Sequence, residues 1–292
     1  MVKTYSQLYL DGRRALLETE DVETATFLAR TLLCHVSGKS HEAFLSGRDL
    51  YASEEVCQAM ESGIQRLING EPLAYVLGEW EFYGLKLHVN QNVLIPRDDT
   101  CAVASLAIKQ AIFLDQDPRI LDLCCGSGCI GLAIASRVKD AKVTLADLSR
   151  DALQVAKKNV QLNHMAGRVT CVQVDAMQPP MAFLGKFDLI VSNPPYITSD
   201  EMKELDHSVV DFEPHMALFG GEDGLDFYRA IAKNYRTALK PGGYLCFEFG
   251  DTQADDVCAI LEEYGYTILE RTRDFNNIER AVLAQYGRKE VE

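Results

Sequence analysis

The pattern that most restricts the fold begins at Arg119. From there, short apolar segments alternate with stretches of helical periodicity. This alternation is typical of an α/β fold, in which helices cover a largely parallel sheet. We therefore predict seven strands, at residues 120–124, 142–146, 169–174, 187–191, 244–249, 266–270 and 280–284.

The sequence before Arg119 has a different organisation. Residues 5–69 carry apolar side chains at three- and four-residue spacing, which indicates helices, and Gly70-Glu71-Pro72 ends the last of them. Residues 79–95 alternate apolar and polar side chains around turn formers, which predicts a β-hairpin. We expect a helical domain at 1–78, a hairpin connector at 79–98 and an α/β domain at 99–292, with Asp99 or Thr100 capping the first helix of the α/β domain.

The charge balance limits the possible partners. The 292 residues include 43 acidic and 29 basic side chains, for a formal net charge of −14. Because non-specific nucleic-acid binding relies on lysine and arginine, this balance disfavours a nucleic-acid substrate. The sequence has neither a leader-like N-terminus nor a run of roughly 20 apolar residues that could span a bilayer. We expect a cytoplasmic protein that does not associate with membranes.

Nine cysteines are present, several of them inside apolar segments, and we expect them to be reduced core residues. Cys124, Cys125 and Cys129 form one cluster. A zinc site of this kind normally needs a second ligand pair at suitable spacing, and the sequence offers none. We therefore expect no metal ion.

A candidate cofactor loop follows the first strand of the α/β domain. It comprises Cys124, Cys125, Gly126, Ser127 and Gly128. Glycines let the backbone turn sharply and approach a ligand, and the following helix offers free N–H groups. The loop alone could also bind a dinucleotide or serve as a plain turn between strand and helix.

Two acidic residues narrow the choice of ligand. Asp147 ends the next strand, where a carboxylate can accept hydrogen bonds from two ribose hydroxyls, although it could instead cap a helix. Asp175 follows the third strand and could accept a hydrogen bond from an adenine amine, or be an ordinary loop acid. No phosphate-binding lysine pattern accompanies the glycines. S-adenosylmethionine, which is cationic and carries no phosphate, fits these acids better than NAD or ATP.

The most specific string is Asn193-Pro194-Pro195-Tyr196, directly after an apolar strand. The side-chain carbonyl of Asn193 and the main-chain carbonyl of Pro194 can both accept hydrogen bonds from one NH2 group. The ring of Tyr196 offers a flat face for a planar amide or base. These acceptors could orient a weakly nucleophilic nitrogen and stabilise its developing positive charge, without a strong base. Alternatively, the string is a strand-ending turn.

With these motifs, the chain resembles the peptide chain release factor glutamine methyltransferases along nearly its whole length. The matching strings lie at 82–85, 93–97, 122–130, 151–153, 192–196, 213–214, 217–218, 223–226 and 239–243. The resemblance implies a seven-stranded, Rossmann-like methyltransferase domain preceded by a helical domain that docks the release factor. It further implies that the glycine loop, Asp147 and Asn193 line the S-adenosylmethionine site, and that residues 193–196 bind the glutamine of a Gly-Gly-Gln motif.

The chain departs from the family pattern at three places. Cys124 and Cys125 replace a frequent Gly-Thr pair, so Cys124 should be strained if that position needs a positive φ. Asp98 to Cys101 replace a frequent Pro-Glu-Thr-Glu. Ala176 occupies a position where the family often has an aromatic ring that stacks on adenine, so adenine must pack elsewhere.

Three other functions remain possible from the sequence. One is methylation of a ribosomal-protein glutamine, which the motif Asn193-Pro194-Pro195-Tyr196 cannot distinguish but residues 82–97 disfavour. Another is methylation of an adenine amine in nucleic acid, which the net charge of −14 disfavours. The last is a non-catalytic nucleotide-binding or interaction module, in which Asn193 would be only a turn residue and which any methyl transfer would exclude.

Overall fold

The computed structural model describes residues 3–287. It divides into two compact units, each with its own hydrophobic core. The first unit ends at Glu79 and also includes Asp206–Phe212, whereas the second holds Trp80–Leu205 and resumes at Glu213. No helix within residues 3–287 combines the length and apolar character needed to cross a membrane.

The first unit is helical, as the periodicity predicts. Its helices are α1 (Tyr5–Leu16), α2 (Val22–Ser37), α3 (His41–Ser46), α4 (Glu54–Ile68), α5 (Leu73–Leu77) and the short α9 (His207–Val210). The side chains of Thr4, Asp21 and Ser53 accept hydrogen bonds from backbone N–H groups in the first turns of α1, α2 and α4. These caps satisfy N–H groups that have no partner within the helix.

The core of this unit lies among α1, α2 and α4. Leu16, Leu32, Leu33 and Met60 are each at most 2% exposed. Their spacing places them on the inward faces of amphipathic helices, and burying each such side chain stabilises the fold by roughly 1.5–3 kcal/mol.

A hairpin follows the helices, which confirms the predicted connector. Its strands are β1 (Glu79–Phe82) and β2 (Leu85–His88). The hairpin ends earlier than the predicted residue 95 because a turn begins at Asn90. The carbonyl of Asn90 accepts from the N–H of Val93, and its side chain accepts from the N–H of Asn92.

The second unit contains a seven-stranded sheet, and all seven predicted strands are present. They are β3 (Arg119–Leu123), β4 (Lys142–Asp147), β5 (Val169–Gln173), β6 (Phe187–Ser192), β7 (Leu239–Glu248), β8 (Tyr266–Arg273) and β9 (Glu279–Tyr286). The helices of this unit are α6 (Cys101–Ile112), α7 (Cys129–Arg137), α8 (Arg150–Leu162), α10 (Asp226–Tyr235) and α11 (Ala254–Glu263).

The strand order is β5-β4-β3-β6-β7-β9-β8. The first five strands in this order are parallel, and β9 runs antiparallel to both β7 and β8. Residues of α6, α7 and α8 pack on one face of the sheet, and those of α10 and α11 pack on the other. This is the doubly covered sheet expected from the sequence, and its parallel strands all end at the same edge.

One strand begins earlier than predicted. Strand β7 starts at Leu239 rather than at residue 244, because Leu239 pairs with Phe187 before an irregularity in the register. The pairing resumes between Tyr244 and Leu189, so residues 240–243 form a bulge inside the strand. In the sequence, the proline and glycines of this bulge indicate a turn. The first residues of the strand are therefore not predicted from the sequence.

Asn159 ties three elements of the second unit together from a fully buried position in α8. Its side-chain oxygen accepts from the N–H of His88, at 2.6 Å. Its amide donates to the carbonyls of His88 and Ser127, at 3.0 and 2.9 Å. One side chain thus fixes the end of β2 and the loop after β3 relative to α8.

We predict that Asn159→Ala lowers the free energy of unfolding by at least about 1–3 kcal/mol, because it leaves buried backbone groups without partners. Urea denaturation provides the measurement. Gln161→Ala, at an exposed position of the same helix, is the matched control and should change stability by less than about 0.5 kcal/mol. Equal stability of the two variants would show that water replaces the Asn159 hydrogen bonds.

Candidate active site

A cavity lies where the parallel strands of the second unit end. The loops after β3, β4, β5 and β6 contribute residues 124–127, 147–149, 174–177, 193 and 195 to its lining. Residues 92–94 and 96, together with Thr100, Pro214, Met216, Ala217 and Phe227, supply other parts of the wall. The parallel sheet thus brings segments that are distant in sequence to one site.

Nine of the twelve residues predicted for the site line this cavity: Cys124, Cys125, Gly126, Ser127, Asp147, Asp175, Ala176, Asn193 and Pro195. The other three are adjacent in sequence but do not line it. Gly128 is the N-cap residue directly before α7, Pro194 is buried, and Tyr196 is half-buried.

The loop after β3 makes its turn through left-handed backbone conformations. Cys124, Gly126 and Gly128 have φ values of 57°, 51° and 82°. Glycine adopts such angles freely, whereas a residue with a Cβ atom is strained by about 1–2 kcal/mol. The strain expected at Cys124 is therefore present.

Asp122 supports this loop from inside the sheet. It is fully buried near the end of β3, and its Oδ2 atom accepts from the N–H of Gly131, at 2.8 Å. A side chain at Gly131 would meet this oxygen at 2.9 Å and would also overlap Leu145. Within residues 3–287, Oδ1 of Asp122 has no hydrogen-bond partner. Burial raises the pKa of Asp122 to about 7, despite the hydrogen bond from Gly131.

Asp147 joins the ends of β3 and β4. Its Oδ2 atom accepts from the N–H of Gly126 at 2.8 Å, and its Oδ1 atom accepts from the N–H of Ser149 at 2.9 Å. Burial raises its pKa. Ser149, rather than Asp147, caps α8, because its hydroxyl accepts from the N–H of Ala152. Each carboxylate oxygen retains a lone pair with which to accept a bond from a ligand.

Asp175 and Ala176 form the wall after β5. Oδ1 of Asp175 accepts from the N–H of Met177, at 2.9 Å, so part of its acceptor capacity is used in a local turn. Apolar side chains surround this part of the cavity, among them Leu148, Ala176 and Met177. A flat aromatic ligand can pack against such side chains without an aromatic partner.

Hydrogen bonds between side chains and main-chain carbonyls hold the end of β6 and the segment after it in place. The hydroxyl of Ser192 donates to the carbonyl of Leu123, at 2.8 Å, which anchors the end of β6 beside β3. Gln253 donates to the carbonyl of Tyr196, at 3.1 Å. Among the described residues, no donor reaches the carbonyl of Pro194. Pro194 itself does not line the cavity, so the prediction that its carbonyl accepts a hydrogen bond from a substrate stays a prediction.

Thr100 was expected only as a possible helix cap, but it lines the cavity beside Asn193. It occupies the position before α6, yet its side chain makes no capping hydrogen bond. Instead its Oγ1 atom lies 3.5 Å from Nδ2 of Asn193. The other candidate cap, Asp99, lies 3.6 Å from Arg280. Thr100 contacts the segment after β6 and Asp99 contacts β9, rather than the start of α6, and local sequence could not reveal these contacts.

Arg97 and Glu213 connect two loops of the cavity wall. The guanidinium of Arg97 pairs with the carboxylate of Glu213, whose other oxygen accepts from the N–H of Ile95, at 3.1 Å. Both partners lie in strings that match the family pattern. Their pairing holds together two segments that are 116 residues apart in the sequence.

The three clustered cysteines are neutral thiols in the wall of the cavity. Burial raises the pKa values of Cys124, Cys125 and Cys129 well above that of a free thiol. All nine cysteines of the chain are free. Residues 3–287 contain no group of three or more histidine, cysteine or acidic side chains that could hold a metal ion.

We predict that Asp122→Asn becomes more stable relative to the wild type as pH rises from 4 to 7. The folded pKa of about 7 exceeds the ordinary value of 3.8, so folding favours the protonated acid. Its stabilising contribution is complete below pH 4 and declines by about 1.4 kcal/mol per pH unit up to pH 7. Denaturation curves at pH 5, 6 and 7 measure the difference. A difference that does not change with pH would place the pKa of Asp122 near its ordinary value.

Two family models match the chain. Residues 8–78 match the PrmC N-terminal domain, and residues 101–212 match the methyltransferase small domain. The release factor glutamine methyltransferase of Clostridium acetobutylicum is 38% identical over 287 residues, which cover 98% of this chain and 97% of the relative. Similarity therefore extends along both proteins almost completely.

Two further comparisons are more limited. A bifunctional methyltransferase of Rickettsia typhi is 36% identical over 87% of this chain, but the match spans only 52% of that longer protein. The crystal structure of a methyltransferase from Pyrococcus furiosus matches with a TM-score of 0.52 and 16% identity, over 77% of this chain and 98% of that chain. At this identity, the structural match shows the fold alone.

Proposed function

We propose, because this chain belongs to the release factor glutamine methyltransferase family, that it transfers a methyl group from S-adenosylmethionine to a glutamine side chain of a peptide chain release factor. The acceptor would be the glutamine of the Gly-Gly-Gln motif. The observation that carries the proposal is a single cavity that holds both Asp147 and Asn193. A single S-adenosylmethionine molecule can therefore extend from Asp147, the proposed acceptor for its ribose, to Asn193, the proposed acceptor for the substrate amide.

The nucleoside end of S-adenosylmethionine would lie along the loops after β3, β4 and β5. Asp147 would accept hydrogen bonds from the ribose hydroxyls and Asp175 one from the adenine amine. Leu148 and Met177 would pack against adenine in place of the aromatic ring that many family members have after the Asp175 position. The lining contains two acids, and among the described residues it contains no lysine, arginine or histidine. That composition suits a sulfonium cation better than a phosphate.

The substrate amide would be held by Asn193 to Tyr196. Oδ1 of Asn193 and the carbonyl of Pro194 would accept from the two hydrogens of the glutamine NH2 group, and the ring of Tyr196 would support the amide plane. S-adenosylmethionine would supply the methyl group, with a C–N bond forming as the C–S bond breaks and its electron pair stays on sulfur, and the methylated nitrogen would release one proton to solvent. Positive charge develops on the nitrogen, where the two acceptors stabilise it.

We further propose that residues 1–78 form a docking domain for the release factor, with 79–98 as connector and 99–292 as the catalytic domain. The match of residues 8–78 to a family-specific N-terminal model supports this division. We also propose that the enzyme works in the cytoplasm, where release factors act and where its nine free thiols would stay reduced.

We predict that Asp147→Ala weakens S-adenosylmethionine binding by roughly 1.5–3 kcal/mol, because the ribose hydroxyls lose a charged acceptor. The variant also frees the N–H of Gly126 and loosens the loop. Isothermal titration calorimetry measures the affinity. Asp151→Ala removes an exposed carboxylate four residues away and should leave the affinity unchanged. If the two variants bind equally well, Asp147 does not contact the cofactor.

Methylation of purified release factor provides the decisive test of the function. We predict that the wild-type enzyme and S-adenosylmethionine add one methyl group to the glutamine of the Gly-Gly-Gln peptide, detected by mass mapping. A release factor with alanine in place of that glutamine is the matched substrate control. Methyl transfer to a ribosomal protein or to nucleic acid, with none to release factor, would favour one of the alternative substrates.

In the same assay, Asn193→Ala should lower turnover by about 100- to 1000-fold, because one of two preorganised acceptors is lost. Affinity for S-adenosylmethionine is measured separately. Near-normal single-turnover rates at saturating cofactor would mean that Asn193 is only a turn residue.

A further inference from the structure

Glu248 is a buried acid behind the reacting end of the cavity. It is the last residue of β7 and is only 2% exposed. The Thr100 hydroxyl and the Asn193 amide lie close enough to its carboxyl group to influence its ionisation. Its Oε2 atom has no partner within residues 3–287. Glu248 does not line the cavity, so it can act on a substrate only through its neighbours.

The charged and titratable groups around Glu248 leave little net charge to stabilise a carboxylate. Arg280 is the nearby cation, but it lies 3.2 Å from Asp274 and 3.6 Å from Asp99, so two acids already balance it. The other titratable neighbours are Cys101, Cys129, Tyr196 and Tyr228, whose hydroxyl donates to the main-chain carbonyl of Glu248. Burial raises the pKa of Glu248 to about 8. Glu248 is therefore mainly a neutral acid at pH 7.

The hydrogen bonds of Asn193 determine what it presents to the cavity. A side-chain amide has a carbonyl oxygen on one side and an NH2 group on the other, and a 180° rotation exchanges them. Oxygens of Glu248 and Thr100 lie behind the amide, and both can accept from Nδ2. If Nδ2 is held there, Oδ1 is left on the opposite side of the amide plane, and Asn193 is one of the residues that line the cavity.

We propose that Glu248 is a positioning residue that, together with Thr100, fixes the Asn193 amide with its oxygen towards the substrate NH2 group. The inference rests on the proposed glutamine methylation. If the amide rotated, its NH2 group would face the substrate NH2 group, and two donors would oppose each other. Positive charge developing on the substrate nitrogen would then meet a donor rather than an acceptor, which raises the barrier.

Two substitutions at Glu248 separate positioning from simple packing. Glu248→Gln keeps a side-chain oxygen that can accept from Nδ2 of Asn193, whereas Glu248→Met keeps length without an acceptor. We expect the Gln variant to retain kcat within about 3-fold and the Met variant to lose about 10- to 100-fold, as for displaced supporting groups. Affinity for S-adenosylmethionine should stay within about 3-fold in both. Cys246→Ala, a core change on the same strand, should leave kcat unchanged and controls for damage to β7.

The kinetic constants of these variants are compared with those of the wild-type enzyme, with release factor as the substrate in the same assay. A wild type without activity on release factor would refute the proposed function itself. An active wild type with a Met variant of equal kcat, or with a Gln variant as impaired as the Met variant, would refute the role of Glu248 alone.

A spectroscopic measurement on the unliganded wild-type protein keeps the proposal testable if the Met variant does not fold. The side-chain NH2 signals of Asn193, assigned in asparagine-labelled protein by their loss in Asn193→Ala, should shift with a midpoint near pH 8 as Glu248 ionises. The shift should disappear in Glu248→Gln. Signals that do not change between pH 6 and 9.5, or that titrate equally in the Gln variant, would show that Glu248 does not hold this amide.

Discussion

Parallel pairing within the sheet is the constraint on which the site depends. Strand β3 pairs with β4 on one side and with β6 on the other, and all three run in the same direction. Their carboxyl ends therefore meet at one edge, where Asp147 and Asn193 are brought together although 46 residues separate them in the chain. Buried hydrogen bonds from Ser192 and Asn159 then fix the loops at this edge to the strand and helix beside them.

The second governing feature is the burial of acids around the cavity. Asp122, Asp147 and Glu248 all have raised pKa values, and burial is the largest cause in each case. Burying a carboxyl without a counter-ion disfavours folding as pH rises. A cationic ligand near Asp147 would provide favourable charge pairing, so part of the free-energy cost of burying this carboxyl would be offset when the ligand binds. Of these three acids, Asp147 lines the cavity and can therefore contribute to a site for a sulfonium compound.

The sequence predicted the sheet and the chemical groups at its edge because both depend on local patterns. Seven apolar segments predicted seven strands, and strands that end in Asp147 or run into Asn193 identified the edge. The bulge in β7 escaped prediction because Pro241, Gly242 and Gly243 favour a turn in isolation. Thr100 and Glu248 escaped because their roles depend on contacts across the sheet. Glu248 carried one usable signal, since it is an acid at the carboxyl end of an apolar strand, as Asp147 is.

In the loop after β3, contacts with residues distant in sequence outweigh the backbone preference of one residue, Cys124. Cys124 adopts a φ of 57°, which costs a residue with a Cβ atom about 1–2 kcal/mol relative to glycine. The conformation persists because the residues that follow Cys124 are fixed independently. Asp147 binds the N–H of Gly126, the carbonyl of Ala146 binds the N–H of Cys125, and Asn159 binds the carbonyl of Ser127. Three hydrogen bonds worth about 0.5–1.5 kcal/mol each are enough to hold one strained residue. The shape of this loop is therefore set by its buried partners, and a glycine at position 124 is not required to form it.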